Sequence, residues 1–76
     1  MNKREKLIKK CFNRIGMTVF EKEGMKKGTI TSFKLEDNPD GTYSVIFMVM
    51  FDLNNGFVRI DHFHESQLVL MKGTEI

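Results

Sequence analysis

The apolar positions of this chain change period once, near Gly16. Before it, Leu7, Ile8, Cys11, Phe12 and Ile15 fall on one stripe of a 3.6-residue period. That spacing predicts an amphipathic helix over residues 2–15, with Lys and Arg on its other faces. Asn2 serves as N-cap, Glu5 as capping-box partner and Gly16 as terminator. After Gly16 the apolar residues come in short β-forming runs broken by Gly, Pro, Asn and Asp. Strands are expected at Met17–Phe20, Gly28–Leu35, Thr42–Phe51, Gly56–Phe63 and Leu68–Met71. Glu21–Lys27 is a loop, Asn38-Pro39-Asp40-Gly41 a turn, Asn54-Asn55-Gly56 a hairpin, His64–Gln67 a single turn, and 72–76 a frayed tail. Ile30 and Phe33 lie three apart, so both face inward only across a β-bulge near Thr31-Ser32.

The run YSVIFMVMF, Tyr43 to Phe51, breaks the alternation of a half-buried strand. Tyr43, Val45, Phe47, Val49 and Phe51 share one face, and Ile46, Met48 and Met50 share the other. The second face needs a cover, and the helix stripe needs a surface. Docking one on the other would bury both, and this is the preferred expectation. The rival is self-association, a homodimer formed through Ile46, Met48 and Met50 or through strand edges.

Five short strands joined by tight turns predict a single small domain that is mainly β: a strongly bent five-stranded barrel over 16–71, preceded by the helix. The order Ile15-Gly16-Met17-Thr18-Val19, then Gly28-Thr29-Ile30-Thr31-Ser32-Phe33, then an aliphatic strand, Asn55-Gly56, a basic strand and Leu68 resembles SH3-like barrels of the Tudor/KOW type. It is distantly similar to the Tudor-like C-terminal domain of bacterial DNA-repair helicases. The chain departs from that pattern in its longer first loop, its two-faced third strand and its leading basic helix. The resemblance implies a binding module of transcription, replication or repair machinery.

Length and charge narrow the picture. The 76 residues suffice for one domain, and the single Cys11 excludes an internal disulfide framework, so a cytoplasmic setting is expected. No apolar run approaches the about 20 residues of a membrane span, and no signal-peptide core follows the charged start. Residues 1–15 carry six basic side chains and one acidic, a net +5; residues 16–76 carry six basic and nine acidic, a net −3. A basic head on an acidic body suggests two surfaces with different partners, or a head that only keeps the protein soluble.

Chemistry-bearing residues are sparse. His62 and His64 share a strand face, but zinc needs three or four protein ligands and the remainder are not evident. Cys11 lies on the apolar stripe, where a thiol is usually inert. Glu36, Asp37 and Asp40 lack the spacing of a calcium loop, and Gly24 and Gly28 lack the residues of a phosphate loop. No catalytic residue, metal site or cofactor is expected. Phe20, Tyr43 and Phe57 would form an aromatic cage only if they converged. The leading expectation is a non-enzymatic module docking on a larger protein. Phe57 and Arg59, on the outer face of the fourth strand, act with Lys26 and Lys27 in the nearby loop. The alternative is nucleic-acid binding by the helix through Lys3, Arg4, Lys6, Lys9, Lys10 and Arg14, with Lys22, Lys26, Lys27 and Arg59 extending the patch. A free-standing barrel this small would suit a mobile-element or phage product.

Overall fold

The structure, a computed structural model, describes residues 2–53, 55–70 and 76. Helix α1 spans Lys3–Phe12. The strands are β1 Thr18–Glu21, β2 Lys27–Asp37, β3 Tyr43–Asp52, β4 Val58–His64 and β5 Leu68–Leu70, with a 3₁₀ turn at Glu65–Gln67 before β5. All pair antiparallel in one sheet of order β4-β3-β2-β1-β5. The sheet is not closed: its two ends are β4 and β5.

Local chemistry sets the boundaries. The Asn2 side chain accepts the Glu5 amide at 2.8 Å and donates to the Glu5 carboxylate at 3.3 Å, joining the first turn of α1. The helix ends at Phe12, three residues short of the apolar stripe, and a turn carries the chain to Gly16 at φ +89°. The Gly16 amide then donates to the Ile30 carbonyl at 2.8 Å, tying the linker to β2. At the β2–β3 turn, Gly41 takes φ +85°. The Thr42 hydroxyl and amide both donate to the Asp40 carboxylate, at 2.6 and 3.0 Å, and hold its pKa below the ordinary value. Between β3 and β4 the Leu53 amide donates to the Phe57 carbonyl at 2.8 Å, and Gly56 takes φ +84°. Asn54 of that hairpin signal and 71–75 of the expected fifth strand and tail lie outside the described residues. Ile76 is half-buried against the core.

The β2–β3 register shifts between Ile30 and Ser32, so Ile30, Phe33 and Leu35 all face Val49, Phe47 and Val45. The bulge expected from the three-residue spacing is present, and the Thr31 hydroxyl donates to the Met48 carbonyl across it at 3.3 Å. The core gathers Val19, Ile30, Val45, Phe47, Val49, Phe51 and Leu68 with Cys11 of the helix; Leu7 packs at its margin.

The helix therefore does not cover Ile46, Met48 and Met50. It lies on the opposite face, where Phe12 meets Phe33 edge-to-face at 5.2 Å between ring centroids. The reason is in β2. Its outward residues opposite Met50, Met48 and Ile46 are Thr29, Ser32 and Lys34, whereas its inward row is apolar. Only the inward face offers α1 a continuous apolar floor. The stripe is also narrower than its spacing suggests. Cys11 is buried and Leu7 and Ile8 half-buried, but Phe12 is 61% exposed and Ile15 also faces solvent.

Candidate functional site

β1 and β2 are joined by a tight loop at 22–26 in which the Met25 amide donates to the Glu21 carbonyl and the Gly24 amide to the Glu21 carboxylate, each at 2.8 Å. Met25 takes φ +53°, uncommon for a residue with a side chain. This loop delivers Lys26 and Lys27 beside the end of β3. Together with Phe51, Asp52, Leu53 and Arg59 they line an open cleft of about 280 Å³. Phe51 is buried and forms the apolar floor, while Leu53 and the neighbouring Phe57 are exposed, Phe57 by 67%.

Arg59 sits on the core-facing row of β4, opposite Phe51, rather than on the outer face expected for it. Its guanidinium lies over the Phe51 ring, 5.8 Å from the centroid, and 2.8 Å from the Asp61 carboxylate. The pairing of β3 with β4 determines this: Arg59, Asp61 and Phe63 face Phe51, Val49 and Phe47. Phe57 precedes β4 instead of belonging to it. The outer row of β4 is Val58, Ile60, His62 and His64, beside Asp52, Met50, Met48 and Ile46. Val58 and Ile60 are each 54% exposed, and sequence reasoning passed over both. Their signal was the alternation Val58-Arg59-Ile60-Asp61, which separates an apolar row from a charged one.

Other candidates separate. Tyr43 and Phe57 stand near opposite ends of β3, which rises about 3.3 Å per residue, so they cannot line one cage. The histidines share one face as expected, and it is the outer one, opposite Met48 and Ile46. His64, however, caps the 3₁₀ turn, its Nδ1 accepting the Ser66 amide at 3.2 Å and lying 2.8 Å from the Ser66 hydroxyl. Among the described residues no three His, Cys, Asp or Glu side chains gather as a metal site. Burial, with Glu65 adding to it, pushes the Cys11 thiol above its ordinary pKa; Lys10 and Arg14 oppose the shift. Cys11 thus remains a packed thiol at neutral pH.

The basic helix is a separate surface. Lys3, Arg4, Lys6, Lys9 and Lys10 are exposed, and Arg14 is half-buried with its Nε enclosed without a partner. Lys3, Lys6 and Lys10 recur at helical spacing along one flank. The helix meets β2 at Phe33, midway along the β2–β3 ladder, with Lys3 in electrostatic reach of Asp40 at the β2–β3 turn, and the cleft lies at the Phe51 end. Lys26, Lys27 and Arg59 therefore do not extend the helix patch. No described helix is long and apolar enough to cross a membrane. Comparison with protein-family models, curated proteins and solved structures finds no match to this chain.

Proposed function

We propose that this protein is a non-enzymatic interaction module: an SH3-like barrel left open between β4 and β5 that docks on a larger protein. The strand order supports the barrel reading, because β5 returns beside β1 across a single 3₁₀ turn. The observation that carries the function is the convergence of Lys26, Lys27 and Arg59 around an apolar floor, with Leu53 and Phe57 exposed alongside. Three cations against one carboxylate, Asp52, around an apolar floor favour a partner segment presenting an apolar side chain flanked by carboxylates. Phe57 and Leu53 supply the apolar contact; the cations orient the segment. Placement in transcription, replication or repair rests on the resemblance to Tudor/KOW barrels alone.

The test is affinity capture from nuclease-treated lysate, followed by binding of the recovered protein in purified form. Lys26→Glu/Lys27→Glu, and separately Phe57→Ala, should each weaken binding about tenfold or more. Lys6→Glu/Lys10→Glu should leave it unchanged. Capture that vanishes with nuclease and with the helix reversals would instead establish nucleic-acid binding through Lys3, Arg4, Lys6, Lys9 and Lys10.

A further inference from the structure

Strand β4 is an edge. Among the described residues it pairs only with β3, and its register there runs unbroken from Asp52 opposite Val58 to Ile46 opposite His64. Natural edges are commonly blunted by a charged side chain, above all lysine, by a proline, a bulge, an inward-pointing charge or a very short strand. β4 has seven residues, VRIDHFH, with neither Lys nor Pro and no register shift. Its blunting charges, Arg59 and Asp61 on the core-facing row, are of opposite sign and two positions apart, so they oppose a strand without matching charges and admit one that carries them.

We propose that a second copy of this chain pairs antiparallel along β4, on a two-fold axis at Ile60. An axis normal to the sheet keeps equivalent faces on the same side, so it must centre on one residue of the strand. Centring on Arg59 sets two guanidiniums against each other, and centring on Asp61 sets two carboxylates against each other. Centring on Ile60 places Arg59 opposite the second copy's Asp61 and Asp61 opposite the second copy's Arg59. Of these three neighbouring registers, only this one is favoured by charge. It also brings the two Ile60 side chains together on the outer face and continues the Met50–Ile60 row across the axis, with each Val58 opposite the second copy's His62. That gives Ile60, 54% exposed in the single chain, an apolar partner. The pairing goes beyond the docking reading and shares Arg59 with it, while Lys26 and Lys27 take no part, so sedimentation of the purified chain alone reads the pairing without reading the docking. The assembly would present two clefts.

Sedimentation velocity from micromolar to hundreds of micromolar concentration tests the proposal, with circular dichroism to check each variant's fold. The wild type should sediment as a reversible dimer. Arg59→Asp and Asp61→Arg should each weaken self-association about tenfold or more, because each turns two attractive cross-strand pairs into repulsive ones. An equimolar mixture of the two variants should dimerise again, since each chain then carries the charge the other lacks. That rescue cannot arise from repair of the ion pair within one chain. Ile60→Lys, at a position already exposed, should also give a monomer. A wild type that is monomeric throughout overturns the proposal. A dimer indifferent to all three substitutions, or a mixture that stays monomeric, overturns it equally.

Discussion

Gly28 shows how one residue can limit the sheet. It is buried between β1 and β3, opposite Val19. A Cβ there would stand 2.5 Å from Val49 Cγ1 and 2.9 Å from both the Met50 carbonyl oxygen and Phe51 Cε1. One of those neighbours is backbone and the others are core side chains, so relief requires the β2–β3 spacing to open. Gly28→Ala should destabilise the protein by about 1–3 kcal/mol, as overpacking commonly does. In a domain of this size that is a fall in Tm of at least about 4 °C, readable by thermal melting. An unchanged Tm would mean that the strands do not approach so closely. Because Phe51 also floors the cleft, the same substitution should weaken partner binding even where the protein stays folded.

At the scale of elements, the helix and the two-faced strand decide which aromatic residues matter. Phe47 is 2% exposed beneath the helix side of the sheet, whereas Phe12 meets Phe33 edge-to-face and stays mostly exposed. Phe47→Ala should cost about 3–5 kcal/mol, and Phe12→Ala about 1 kcal/mol. Urea midpoints measure both, and equal costs would place Phe12 in the core after all. The helix, the strands, the bulge and the glycine turns were legible because each has a local cause: a period, a spacing or a backbone angle. The face that α1 covers was not legible from β3, since both of its faces are apolar. It depended on the parity of β2 after the bulge, which turns Ile30, Phe33 and Leu35 one way and Thr29, Ser32 and Lys34 the other. The side of β4 that carries Arg59 was lost for a related reason. Parity can be counted within one strand, but its sense is set only by pairing with the next. Of the expected docking residues, Lys26, Lys27 and Arg59 do line one cleft, because the tight 22–26 loop and the β3–β4 hairpin end side by side.

Over the whole molecule, the competition between docking and nucleic-acid binding becomes one of geometry and charge. The helix cations and the cleft cations occupy separate sites, and the chain beyond residue 15 is net −3. A helix of ten residues is about 15 Å long. If all five of its exposed cations, Lys3, Arg4, Lys6, Lys9 and Lys10, met phosphates, log K on duplex DNA would fall by about 0.9 for each contact per decade of salt, a slope near −4.5. They cannot all do so at once: Lys3, Lys6 and Lys10 share one flank, while Lys9 and Arg4 point elsewhere by helical spacing. About three contacts remain, opposed by the acidic body. Binding to mixed-sequence DNA or RNA should therefore be weaker than about 10⁻⁴ M at physiological salt, with a duplex slope no steeper than about −3. Fluorescence anisotropy at two salt concentrations measures both. Lys6→Glu/Lys10→Glu should remove what binding there is, and Phe57→Ala should leave it alone. Tight binding with a slope near −4.5 would show that nucleic acid engages the whole helix, and the basic head would then be the working surface in place of the cleft.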